Sequence, residues 1–168
     1  MLTAVIALAI VAADQASKWA AIEILSAEPG NRIVVIENFF ALTLVYNPGA
    51  AFGIFPGFNQ LFIVLSIITV VLLLVFFRTF FSGGRLSRAA GGLIIGGAVG
   101  NLIDRFRFSQ VVDFFDFQFG DYRWPAFNIA DSAIVVGVVL LAAAVLLAKS
   151  GERIPPGGLV PPEGKFKG

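Results

Sequence analysis

Residues 127–148 read FNIADSAIVVGVVLLAAAVLLA. From Ser132 to Ala148 seventeen positions pass without a charge, and a helix of about 17–25 such residues crosses a bilayer. Three more apolar segments precede it. Residues 2–25 are rich in Ala, Ile and Val and are broken by Asp14 and Lys18. Residues 61–77 carry no charge. Residues 89–103 are short and glycine-rich, and need Arg88 and Arg105 to snorkel at the two interfaces if they are to span.

Composition agrees with this pattern. Hydrophobic residues make up 58% of the 168 positions and charged residues 14%, against about 45–50% and about 25% in soluble domains. Mean hydropathy is +0.89. A soluble globule of this length cannot hide so much apolar surface, so the chain reads as a single-domain integral membrane protein. The first segment has no Lys or Arg before Leu2, and Asp14-Gln15 falls where a small-residue cleavage site would lie. It is therefore expected to be a retained helix and not a cleaved signal peptide.

Cysteine and histidine are both absent. Disulfides, thiol nucleophiles, haem attachment, Cys/His zinc sites and a Ser-His-Asp triad are thereby excluded. Catalysis is left to carboxylates, a lysine, a serine or a bound ion. The basic residues are few and scattered, which gives no sign of nucleic-acid binding.

Lys and Arg set the orientation. The second connection carries Arg78, Arg85 and Arg88 without an acid, and the tail after Ala148 carries Lys149, Arg153, Lys165 and Lys167. The positive-inside rule puts both termini and this connection in the cytoplasm. The expected fold is an all-α membrane protein with four transmembrane helices, N-in/C-in, at about 2–25, 59–77, 88–105 and 131–148. A small extracytoplasmic β-sheet at about 32–46 is expected between helices 1 and 2. There Ile33-Val34-Val35-Ile36 and Ala41-Leu42-Thr43-Leu44-Val45-Tyr46 flank Glu37-Asn38. Asn47-Pro48-Gly49 ends the second run with turn chemistry, and Phe52 and Phe55 suit the membrane interface. Residues 149–168, rich in Pro and Gly, read as a disordered cytoplasmic tail appended to a domain of residues 1–148.

This topology gathers polar groups at one face. Asp14 and Lys18, at i and i+4, lie in the outer half of helix 1. Asn101, Asp104 and Arg105 end helix 3, Asp113 follows it, and Asn128, Ala130 and Asp131 open helix 4. Ionisable groups at membrane depth are costly and point to function. Two aspartates held close in low dielectric share a proton, so one can activate water while the other protonates a carbonyl oxygen. The residues alone leave open which two of Asp104, Asp113 and Asp131 form such a dyad.

Plainer roles compete. Asp104-Arg105 fits an ion pair at a helix end, Asn128 or Asp131 an N-cap, and Asp14 with Lys18 a structural pair. Gly92, Gly96 and Gly100, with Gly97 beside them, fit close helix packing better than a phosphate loop. Asp116 and Asp121 are expected to face water, and a Ser-Lys dyad is a poor fit. A proton-coupled transporter would place its acid near the midplane, where only Asp14 is a candidate. A membrane adaptor would leave the converging Asn and Asp residues without a purpose.

Four ordered motifs carry a resemblance: Asp14-Gln15-Ala16-Ser17-Lys18; Tyr46-Asn47-Pro48-Gly49-Ala50-Ala51-Phe52; Gly100-Asn101-Leu102-Ile103-Asp104-Arg105 with Val111-Val112-Asp113-Phe114; and Phe127-Asn128-Ile129-Ala130-Asp131-Ser132. From Asp14 to Ala148 the chain resembles the lipoprotein (type II) signal peptidases, bacterial membrane aspartyl proteases. The resemblance implies cleavage of diacylglyceryl-modified prolipoproteins before the lipidated cysteine, at the outer face of the cytoplasmic membrane. It implies Asp113 and Asp131 as the catalytic pair. Asn47, Gly49, Asn101, Arg105, Asn128 and Ala130 would then line the substrate site, with Asp14, Lys18 and Asp104 in support. It further implies inhibition by globomycin, whose hydroxyl lodges between the aspartates, and a β-cradle on the outer face. Membrane lipid is the other expected partner, a monomer the expected state, and no cofactor or metal is called for. Many family members carry a glycine near Phe108-Ser109-Gln110, where this chain has none.

Overall fold

No Pro or Gly interrupts the chain between Leu2 and Leu25, and helix α1 runs unbroken over Leu2–Leu25. The structure, a computed structural model, describes residues 1–48, 59–81 and 84–151. Gly49, Phe52, Phe55 and the tail from 152 lie outside the described residues. A 3₁₀ turn (Pro29–Asn31) leads into strands β1 (Arg32–Ile36) and β2 (Phe40–Asn47). Helices α2 (Asn59–Val75), α3 (Phe77–Phe81) and α4 (Arg85–Phe108) follow, then β3 (Val111–Phe119), β4 (Tyr122–Arg123) and α5 (Ile129–Gly151). Among the described residues α1, α4 and α5 are long and apolar enough to cross a membrane, and an apolar helix over Gln60–Val75 is shorter.

α4 lies between α1 and α5. Five of its residues are glycine (Gly91, Gly92, Gly96, Gly97 and Gly100), a sequence with poor intrinsic helix propensity. Close packing compensates, because small residues let helix backbones approach. A Cβ at Gly96 would lie 2.8 Å from the Ala7 carbonyl oxygen of α1, and one at Gly92 would lie 2.7 Å from Ile6 Cβ. On the other side, a Cβ at Gly97 would collide with the Ala130 carbonyl oxygen of α5. The stripe therefore packs helices, as its spacing suggested.

The helix read at 88–105 is longer than its apolar core, beginning at Arg85 and ending at Phe108. Ser109 closes it in the left-handed region, at φ 57°, and donates its N–H to the Arg105 carbonyl at 3.0 Å. This is the C-terminal cap that glycine fills most readily.

The sheet is larger than the expected hairpin. Its order is β1-β2-β3-β4, all antiparallel, so half of its strands come from the connection between α4 and α5. The expected sheet lay wholly between helices 1 and 2, with no strand in this connection. Yet Val111, Asp113, Phe115, Phe117 and Phe119 alternate with Val112, Phe114, Asp116 and Gln118, and this is the period of a strand. The molecule is therefore a helical bundle capped by a four-stranded sheet, and the sheet is not confined to the span between α1 and α2. It sits where α1 and α4 end and α5 begins. Phe114 packs on Ala21 and Leu25 of α1, with Ile33, Leu42 and Leu44 around them.

Asp116 does not face water. It is 2% exposed and accepts hydrogen bonds from the Arg123 guanidinium and from Thr43 Oγ1 at 2.6 Å, with Arg32 at 3.9 Å. The Arg123 hydrogen bonds hold its carboxyl below the usual carboxylate range. The cluster ties β1, β2 and β4 onto β3. Asp121, in the turn between β3 and β4, is exposed.

A serine held at positive φ carries a conformational cost of about 1–2 kcal/mol. Ser109 is exposed, so Ser109→Gly removes this cost without opening a cavity. Thermal unfolding in detergent is expected to show Ser109→Gly stabilised by about 1 kcal/mol, a rise of about 2–4 °C, whereas Ser109→Val lowers the midpoint. An unchanged or lower midpoint for Ser109→Gly would mean that the strain at this turn is not significant.

Candidate active site

Asp113 lies on β3 and Asp131 in the first turn of α5. Both line one cavity of about 730 Å³, together with Asn47, Asn101 and Arg105. The remaining wall is apolar and aromatic, from Phe117, Phe119, Trp124 and Phe127 beside Ile134 and Val135. The cavity therefore exposes both aspartates among walls that are mostly apolar.

Each carboxylate is held by amide donors. Asn128 Nδ2 donates to Asp113 Oδ1 at 2.7 Å, and Asn47 Nδ2 to Asp113 Oδ2 at 3.1 Å. Asn101 Nδ2 donates to Asp131 Oδ1 at 2.7 Å. Asn47 can reach Asp113 because it pairs with Val111 in the β2–β3 register, which puts its side chain on the same face as Asp113. Asn128 is the N-cap of α5. Its Oδ1 accepts the Asp131 N–H at 2.9 Å, while Asp131 Oδ2 accepts the Asn128 N–H at 3.3 Å. This reciprocal pair is a capping box with aspartate at N3, so the N-cap reading of Asn128 and a place for Asp131 in the cavity are both satisfied.

Burial pushes the Asp113 carboxyl up to about 7, helped by the neighbouring Asp131 carboxylate and opposed by the Asn47 and Asn128 hydrogen bonds. A pair in which one member keeps its proton near neutrality is the arrangement that acid–base hydrolysis requires.

Behind Asn101 lies a second polar layer. Lys18 Nζ sits 2.9 Å from Asp14 Oδ2 and 2.7 Å from Asp104 Oδ2, and donates to Asn101 Oδ1 at 2.9 Å. All four residues are buried. The Asp14–Lys18 pair is thus real but part of a larger network, and Asp104 pairs with Lys18 of α1 and not with its neighbour Arg105. Arg105 reaches back to the Asn101 carbonyl at 3.4 Å and points into the cavity. Ala130 is fully buried and donates its N–H to Asp14 Oδ1 at 3.0 Å. Of the sequence-derived candidates, only Gly49 lies outside the described residues.

Two features escaped the sequence. Gln15 Nε2 bridges Asp14, the Gly100 carbonyl and Asp104 at 3.2, 3.2 and 2.9 Å; its position between Asp14 and Lys18 was the available signal. The aromatic wall was legible only once residues 111–119 are taken as a strand, which sets Phe117 and Phe119 in phase with Asp113. Among the described residues no cluster of three or more carboxylates is arranged to hold a metal ion.

Comparison with known proteins shows the family. A family model described as Signal peptidase (SPase) II matches residues 6–147. A lipoprotein signal peptidase of Syntrophotalea carbinolica is 45% identical over 142 residues, covering 83% of this chain and 87% of that protein. One of Bacillus subtilis is 40% identical over 153 residues, covering 91% and 97%. Two solved bacterial membrane enzyme structures superpose with TM-scores of 0.75 and 0.70. They are 33% and 35% identical to this chain, covering 93% and 86% of it and 94% and 92% of their own lengths. With the family matched over nearly the whole chain and both aspartates facing one cavity, this chain belongs to the signal peptidase II family of membrane-embedded peptidases.

Proposed function

We propose that this chain is an aspartyl endopeptidase that removes signal peptides from diacylglyceryl-modified bacterial prolipoproteins, cutting before the lipidated cysteine. The observation that carries the reading is that Asp113 and Asp131 line one cavity whose walls are mostly apolar. A water molecule between them gives a proton to the charged carboxylate as its oxygen attacks the carbonyl carbon preceding the cysteine. The neutral carboxyl protonates the carbonyl oxygen. Collapse of the tetrahedral intermediate returns that proton, breaks the C–N bond and passes the first proton to the departing amine. The products are a signal peptide ending in a carboxylate and a lipoprotein with a free amine on its lipidated cysteine. No cofactor takes part.

The cavity suits such a substrate. Its aromatic flank offers apolar surface to an acyl chain, and each buried CH₂ contributes about 0.8 kcal/mol. Arg78, Arg85 and Arg88 on the connection opposite the sheet favour four crossings with both termini in the cytoplasm. The catalytic pair then lies at the outer face of the cytoplasmic membrane, where water is available and where a signal peptide presents its end. The working unit in this reading is a monomer. Globomycin would compete by placing its hydroxyl between the aspartates.

Cleavage of a diacylglyceryl-modified prolipoprotein by protein in lipid tests the reading. Asp113→Asn and Asp131→Asn are expected to insert stably and to lose about 10⁴-fold in rate, and globomycin to block the wild type. Wild-type protein that leaves lipidated substrate intact would sink the proposal. An active Asp113→Asn would sink the dyad alone.

The raised Asp113 carboxyl gives two pH dependences. kcat/KM is expected to fall as pH rises through about 7, because the pair then loses its shared proton. Folding takes up a proton at Asp113 between the ordinary value of 3.8 and about 7. Stability is therefore expected to fall as pH rises across that window and to level off above it. Asp113→Asn should flatten this decline, which unfolding midpoints from pH 4 to 8 would reveal.

A further inference from the structure

We propose that Lys18 is the positioning residue of this site: one buried ammonium sets the placement and the polarity of both catalytic aspartates without bonding to either. The inference rests on the peptidase reading above.

An ammonium has three N–H bonds and no acceptor. Those of Lys18 are taken by three partners, Asp14 Oδ2, Asp104 Oδ2 and Asn101 Oδ1, and each partner leads to the catalytic pair. Asp14 Oδ1 accepts the N–H of Ala130 at 3.0 Å, the residue before Asp131. Asp104 Oδ2 accepts the N–H of Val112 at 3.1 Å, the residue before Asp113. The two supporting carboxylates thus clamp the backbone at matching places, one step ahead of each catalytic carboxylate, and Lys18 ties the clamps together across α1 and α4.

The third partner fixes polarity. Lys18 can only donate, so the Asn101 amide must turn its oxygen to Lys18 and its nitrogen to Asp131 Oδ1. Asn128 Nδ2 also reaches the Asn101 oxygen, at 3.2 Å, but shares its two hydrogens with Val112 O and Asp113 Oδ1. Without Lys18 the amide is free to reverse and aim its oxygen at Asp131. Meanwhile Asp14 and Asp104, both buried acceptors, lose the charge between them.

A purely structural Lys18 would do no more than neutralise those carboxylates, and the two roles separate in a charge-free variant. Lys18→Met alone strands two buried charges and is expected to unfold readily. Lys18→Met/Asp14→Asn/Asp104→Asn carries no charge in this layer. The positioning role predicts that it recovers the wild-type unfolding midpoint within a few degrees while kcat stays about 100-fold down, with KM within about threefold. Its pH profile moves to higher pH, since a carbonyl oxygen aimed at the pair favours the proton-bearing form. Recovery of both kcat and the wild-type profile would overturn the proposal.

Should the triple variant not fold, Asp14→Asn asks the same question. Its single acceptor oxygen can serve Lys18 or the Ala130 N–H, not both, so kcat is expected to fall about tenfold at unchanged KM; wild-type kcat would overturn the proposal. The pH window over which stability declines, read on these variants, needs no substrate. It must move upward in the triple variant, where the Asn101 amide is released, and a fixed window there counts against the proposal even if the wild type proves not to be a prolipoprotein peptidase.

Discussion

The ammonium of Lys18, 2% exposed between α1 and α4, is the interaction on which the polar interior depends. A cation in such a place is tolerated only when charge and hydrogen bonds compensate its lost hydration. Asp14 supplies one partner from the preceding turn of the same helix, where i and i+4 side chains meet. Asp104 and Asn101 supply the others from α4. Removing one member of a buried pair typically costs about 3–5 kcal/mol, because the other charge is left uncompensated, so no member of this layer between α1 and α4 can be lost singly at little cost. It also reaches, by single hydrogen bonds, the backbone just ahead of Asp131 and Asp113.

That network needs helices that approach very closely, and the glycines of α4 allow it. A Cβ at Gly100 would lie 2.5 Å from Asp14 Oδ2, so the carboxylate that meets Lys18 occupies the space a side chain would take. Gly96 and Gly92 continue the contact down α1, and Gly97 receives the start of α5 on the opposite side. The propensity lost at five glycines is the condition for burying four polar side chains in one layer. Lipid offers no hydrophobic drive for helix association, so contact of this kind and polar bonding between helices carry the assembly.

The sheet has a different task. Asp113 sits on a strand whose one face, Val111, Phe117 and Phe119, lines the cavity. The other face buries Phe114 against α1 and Asp116 among Thr43, Arg123 and Arg32. A strand pinned on one side by an ionic cluster and on the other end by Asp104 leaves Asp113 little freedom. Asp113 and Asp131, the pair proposed to be catalytic, are thus mounted on two rigid elements, a strand and a helix N-terminus, and not on a loop.

Much of this was legible in the residues. Runs of apolar side chains dictate helices in lipid, because backbone groups there must be satisfied within the segment. The Asn and Asp residues at helix ends announced a shared polar face. The hairpin at 32–47 followed from β-branched runs around Asn38, which takes φ 58° in its turn. Three things required the tertiary structure. Strand 111–119 was hidden because its two aspartates face opposite sides, Asp113 toward the amides of Asn47 and Asn128 and Asp116 toward Arg123, Thr43 and Arg32. Asp116 looked like a surface residue until Arg123 and Thr43 came against it. Asp104 has Arg105 beside it in the chain, yet a helix turns neighbours about 100° apart, and the ammonium that reaches it comes from Lys18, eighty-six positions earlier. Sequence alone determined which polar residues enter the membrane layer, since each is costly there and has to be there for a reason. Which of them bond to one another was decided only by how closely three helices and a sheet pack, because hydrogen-bond partners are chosen by distance in space and not by distance along the chain.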